Sequence, residues 1–245
     1  MTDVRPEVAE RPDPLARTAK TRRVALALAM FTAPWLIVAA ETGHSIANSH
    51  GKDDIDPAVA LAIAAGHTTL QRWSSFAALL GALLLVPAVM GVMRLVRTGA
   101  ARLGLVAGVL AATGYICYFA LVLQGAFTET AMATTGGSTT QNVNVLQAVM
   151  DDPLGTGWVG PVFVLGNIVG TFLLGLALNR ARVAGRWAGY GLIAWSVLHA
   201  LSFSPWMEVA GAVAQALGLA VAAAALLREG RQVVAGPEPY ELLRR

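Results

Sequence analysis

The sequence predicts an all-α fold: a polytopic membrane bundle of six transmembrane helices with two short helices on its outer surface. Three observations predict it. Hydrophobic residues make up 56% of the 245-residue chain and charged residues only 13%, where a soluble domain carries about a quarter charged residues. Apolar runs of spanning length recur along most of the chain, and a bilayer core asks about 20 such residues of each helix. The basic residues fall almost wholly on one side of the implied spans.

Residues 1–23 form a polar, proline-bearing tail, expected to be disordered to about Ala16 and to stop at the membrane surface at Lys20, Arg22 and Arg23. The tail is too polar for a signal core, so the apolar run after it reads as a retained first span. That span covers Val24–Ala40 with Pro34 inside. Seventeen residues is close to the lower limit for crossing, so the helix is expected to continue to His44. A polar loop, Ser45 to Ile55, carries His50. Asp56–Pro57 then reads as an N-cap and first-turn proline. Ala58–Ala65 is too short to span and reads as the first surface helix.

Span 2, Thr69–Val96, contains Pro87, and Arg94, Arg97 and Arg102 bracket the turn after it. Span 3, Leu103–Phe127, carries Gly104 and Gly108 four residues apart, a spacing that lets helices approach closely. The polar loop Thr128–Gly157 has no lysine or arginine, and Gln141–Met150 within it reads as the second surface helix. Span 4, Trp158–Leu178, contains Pro161, Asn167 and the pair Gly166 and Gly170. Arg180, Arg182 and Arg186 mark the next turn. Span 5 is Trp187–Phe203 and span 6 is Trp206–Leu227. Residues 24–228 thus make one membrane domain, and 229–245 a polar tail.

Orientation follows from the 18 lysines and arginines. With six spans, 16 of them lie in the two tails and the two arginine turns, all on one side, and only Lys52 and Arg72 fall on the other. The positive-inside rule puts both termini in the cytoplasm of a cell membrane. Basic residues set beside spans are not a nucleic-acid patch. The single cysteine, Cys117, excludes an intramolecular disulfide and a cysteine metal motif. A loose repeat (surface helix, span, arginine turn, span) relates 57–127 to 141–203, and any two hairpins obeying the charge rule share it.

The segments HTTLQRWSSFAALLGALLLVPAVMGVMRLVRTGAARLGLVAG and NVLQAVMDDPLGTGWVGPVFVLGNIVGTFLLGLALNR resemble a pattern in an uncharacterised family of actinobacterial multi-span membrane proteins. A short outer helix, a histidine and a tryptophan opening a span, and a close into an arginine turn carry the likeness over most of 56–190. The resemblance implies the architecture and supplies no activity and no catalytic residues.

The histidines and several carboxylates gather at the outer ends. Glu41 and His44 share a helix face, as do His67, Gln71 and Ser75, Trp195 and His199, and Glu208 and Gln215. Polar stripes on spans face neighbouring helices or a wet cavity rather than lipid. The sequence therefore implies an outward-opening cavity for a small or apolar ligand, or for a partner. Glu41, Glu208 and His199 are the catalytic candidates. The ligand-binding candidates are His44, His67, Gln71 and Gln124, with Trp35, Trp73 and Trp195. No cofactor is identified. An isoprenoid-type substrate protonated by Glu41 or Glu208, as in membrane terpene cyclases, is one enzyme reading. A metal held by His67, His199 and Glu41 is another. A transporter is disfavoured, because no acid or base falls at mid-span. The partner readings are another membrane protein or a second copy of the chain in a homo-oligomer; an accessory subunit predicts an exposed small-residue face at Gly104/Gly108 or Gly166/Gly170 left unused within the monomer. The ordinary account of the same residues is an aromatic belt and headgroup-level polar groups.

Overall fold

The computed structural model describes residues 14–48, 56–153 and 156–235. The first part of the N-terminal tail, most of the loop bearing His50, and the end of the C-terminal tail lie outside them. The described chain is helical throughout and has no strand. Five helical stretches are long and apolar enough to cross a membrane: Arg17–Ala47, Thr68–Val96, Ala101–Thr135, Gly157–Ala181 and Pro205–Glu229. The chain is a multi-span membrane protein.

Helix α1 (Pro14–Ala47) starts inside the polar tail and runs past His44. Basic side chains at its start leave the backbone free to stay helical beyond the apolar stretch. Helix α2 (Pro57–Gly66) opens as its sequence dictates: Asp56 Oδ1 accepts from the Ala58 N–H at 2.8 Å, with Pro57 at the first helical position. His67 joins α2 to α3 (Thr68–Val96). Helix α4 (Ala101–Gln124) breaks at Gly125, and α5 (Ala126–Thr135) follows at once. The sequence implied a loop from Thr128. Instead α5 packs on α2 and α3, so tertiary contact supplies what local periodicity lacks. Helix α6 (Thr139–Asp151) is the second expected surface helix, extended by a residue or two at each end.

The fourth span is not one regular helix. It comprises α7 (Thr156–Val164), a π-helical turn over Leu165–Gly170, and α8 (Thr171–Ala181). The widened turn sits where the backbone meets α4 most closely. A Cβ on Gly114 would stand 2.3 Å from Asn167 N, and one on Gly170 would stand 2.5 Å from Ala111 N. Only glycine permits that approach.

Helix α9 (Arg186–Ala200) has 15 residues, about 22 Å at 1.5 Å per residue, short of a hydrocarbon core of about 30 Å. It packs between α8 and α10 (Pro205–Ala235). The bundle has two chemically distinct ends. At one, the arginine turns lie side by side, with the Gly99 Cβ position 2.7 Å from Ala181 Cα. Glu229 on α10 reaches Arg94 and Arg97 there, each at 3.8 Å. At the other end lie Glu208, the first turn of α10, and the last turn of α9. Helix α9 therefore runs from the basic end to the opposite end.

The core between these ends is built from large side chains set among small ones. Met30, Leu85, Leu174, Leu192 and Leu226 are fully buried, and so are Ala33, Ala88, Ala111, Ala177, Ala212 and Ala222. The alternation lets helices interdigitate where lipid offers no hydrophobic driving force. Both glycine pairs are consumed in this packing. Gly104 meets Val96, Gly108 meets Met93, and Gly166 and Gly170 lie on α4. The exposed small-residue face that the accessory reading predicts is therefore not left unused at these pairs.

Candidate functional site

The end of the bundle opposite the arginines holds a cavity of about 340 Å³. Five elements bring titratable side chains to it. Helix α1 places Glu41 and His44 three residues apart, so both turn to the same side. Helix α4 contributes Tyr118 and α5 contributes Glu129. His199 comes from the last turn of α9 and Glu208 from the first turn of α10. Helix α3 adds Gln71, Ser74 and Ser75, all buried, and α7 adds Phe163.

The side chains are tied together. Tyr118 lies within electrostatic reach of both Glu41 and Glu208. Its ring stacks on Phe163, centroids 5.3 Å apart and planes at 19°. Ser202 Oγ donates to Glu208 Oε1 at 2.9 Å, which fixes one carboxylate oxygen. Trp195 is buried behind His199 and stacks on it, at 5.0 Å and 11°, which sets the plane of the imidazole. Ser75 spends its hydroxyl on the Gln71 carbonyl one turn back, at 2.7 Å.

Among the residues singled out from sequence, Glu41, His44, Gln71, His199 and Glu208 line one cavity. Trp195 supports it from behind. The others lie elsewhere. Trp73 and Trp35 are exposed on the outside of the bundle, 67% and 39%, away from the cavity. Gln124 is exposed at the end of α4. His67 is exposed at the α2–α3 joint, where its carbonyl accepts the Gln71 N–H at 2.9 Å. The trio His67, His199 and Glu41 is therefore not gathered on the cavity wall. Among the described residues no group of three His, Cys, Asp or Glu side chains is placed to hold a metal ion.

Sequence reasoning missed Tyr118, Phe163 and Glu129 as cavity residues. Tyr118 and Glu129 are eleven apart, just over three helical turns, and so share a face across the Gly125 break. That spacing was the available signal. No pattern ties Phe163 to them.

Deeper in the bundle, α4, α8 and α10 are pinned by a buried polar relay. Gln215 Nε2 donates to the Tyr115 hydroxyl oxygen at 2.7 Å, so the Tyr115 proton goes to Thr171 Oγ1, 3.1 Å away. Gln215 shares a helix face with Glu208, as its spacing implied, but sits below the cavity and faces this relay instead.

Comparison with protein-family models, curated proteins and solved structures finds no match for this chain.

Proposed function

We propose that this protein is a six-span protein of the cell membrane, with both termini in the cytoplasm, whose outward-opening cavity binds a small ligand. One observation carries the reading. Glu41, His44, Glu129, His199 and Glu208 come from four helices and still line a single cavity. Groups that merely sat at headgroup level would be scattered around the rim. The cavity volume falls within the range of small-molecule sites, roughly 300–1,000 Å³. The cavity lies at the end away from the arginine turns, which the positive-inside rule assigns to the cytoplasm. The likeness of 56–190 to the actinobacterial multi-span pattern agrees with this architecture and adds no activity.

A second reading draws on Glu41 and Tyr118 lining the same cavity, within electrostatic reach of each other. A carboxyl group sharing a cavity with the stacked Tyr118 and Phe163 rings is suited to protonating an alkene or epoxide and shielding the resulting cation.

Native mass spectrometry of protein extracted from its own membranes tests the binding reading. Wild type is expected to carry a co-purifying small molecule. The Ala126→Trp variant, which fills the cavity from its wall, is expected to lose it. An empty wild-type cavity, or a molecule retained in Ala126→Trp, overturns the reading.

A further inference from the structure

We infer that the cavity selects a small organic cation, an ammonium ion bearing an apolar group; the inference rests on the reading of the cavity as a ligand site. Four observations lead there. The first is charge. Three carboxylates and two imidazoles line the space, with no lysine or arginine among the lining residues. Even with both imidazoles protonated, three carboxylates against two cations leave the wall formally negative. A negative wall at the membrane boundary, where water screens weakly, favours a cationic guest.

The second observation is width. These donors are the types that bind metals, yet no three of them are placed to close on one ion among the described residues. They ring a volume of about 340 Å³ instead. A ring too wide for an ion fits a cation of several heavy atoms, which meets each carboxylate at a different point.

Third, polar capacity is left over inside the cavity. Gln71 and Ser74 are 8% and 7% exposed and face this space. Neither side chain makes a hydrogen bond to the described residues. A guest with N–H donors would use the Gln71 side-chain amide oxygen, which faces the cavity. Fourth, the remaining wall is apolar and aromatic. The stacked Tyr118–Phe163 pair offers ring surface to a cation or its apolar group, and Leu121 and Val122 add aliphatic wall.

Titration of the purified full-length protein in detergent tests this, with benzylammonium, benzyl alcohol, benzoate and zinc ion as probes. Benzylammonium is expected to bind saturably, at least about tenfold more tightly than benzyl alcohol, with benzoate weaker still. Glu129→Gln and Glu208→Gln are each expected to weaken benzylammonium about tenfold or more and to leave benzyl alcohol unchanged. The two carboxylates sit on different helices, so a folding failure in one variant leaves the other as the test. Equal binding of alcohol and ammonium, a preference for benzoate, or zinc binding tighter than benzylammonium each overturns the cation inference. If no probe binds while Ala126→Trp still strips a co-purifying molecule, the cation inference falls and the cavity reading stands. If nothing binds and nothing co-purifies, both fall.

Discussion

At the residue scale, the best-defined polar contact in the interior is the Gln215–Tyr115–Thr171 relay. All three side chains are buried, at 1%, 3% and 1% exposure. Each bond joins a different pair of helices, and lipid offers no replacement partner. Such bonds within a membrane are worth roughly 0.6 kcal/mol on average and up to about 1.7. Tyr115→Phe removes both bonds and leaves Gln215 Nε2 and Thr171 Oγ1 unmatched. It is expected to lower thermal stability by roughly 1–2 kcal/mol, about 2–8 °C in melting temperature for a chain of this size. Gln215→Leu, which removes the buried amide altogether, is expected to cost less than Tyr115→Phe. The reverse order in a melting experiment would show that the relay does not hold these helices together. The same scale explains what of the site was legible. Glu41, His44, His199 and Glu208 were readable because charged groups at span ends are few and must face inward or into water. Tyr118 and Phe163 were not, because an aromatic residue on a span looks the same in sequence whether it faces lipid, core or cavity. Trp35 and Trp73 show the converse: both rings face outward from the bundle and neither lines the cavity.

At the element scale, the fourth span departs most from regular structure. Pro161 removes one backbone donor early in it, and the π-turn over Leu165–Gly170 follows. Such turns are uncommon and occur often at functional sites. Here the turn brings Gly166 and Asn167 onto Gly114, with backbone against backbone. Hydropathy located this span and its glycines but could not show the widened turn, because the turn is set by the facing helix. Helix α5 was illegible for a related reason: its sequence has no apolar period, and α2 and α3 hold it in place. Gly114→Leu is expected to force α4 and the fourth span apart. The Cβ alone meets three backbone atoms within 2.9 Å, none of which can rotate away. The cost is expected to reach or exceed the roughly 1–3 kcal/mol of an ordinary overpacked core, read as a fall in folded yield on size exclusion. Gly66→Leu, at a position with open space around it, serves as the control and is expected to leave yield unchanged. Equal yields for the two variants would mean that the seam is not tightly closed.

At the scale of the whole molecule, the decisive element is α9. By length and composition five stretches qualify as spans and α9 does not. By position, it leads from the arginine turn at Ala181–Arg186 to the cavity at His199. A helix of about 22 Å can still connect the two sides if polar flanks carry the rest of the thickness. Val183, in the turn before it, and Phe203, in the turn after it, are 38% and 81% exposed. In a Cys117→Ser background, single cysteines at these two positions report which side each turn occupies. A membrane-impermeant maleimide applied to intact cells is expected to label Phe203→Cys and to spare Val183→Cys. Ser138→Cys, between α5 and α6, is expected to label like Phe203→Cys, and Thr98→Cys, between α3 and α4, to be spared like Val183→Cys. Two like results at 183 and 203 would place both ends of α9 on one face of the membrane. That would leave five spans and put the termini on opposite sides. The one-sided arginine pattern would then be broken, because the C-terminal Arg228, Arg231, Arg244 and Arg245 would leave the side of the two arginine turns. A labelled Val183→Cys beside a spared Phe203→Cys would invert the whole bundle and turn the cavity toward the cytoplasm.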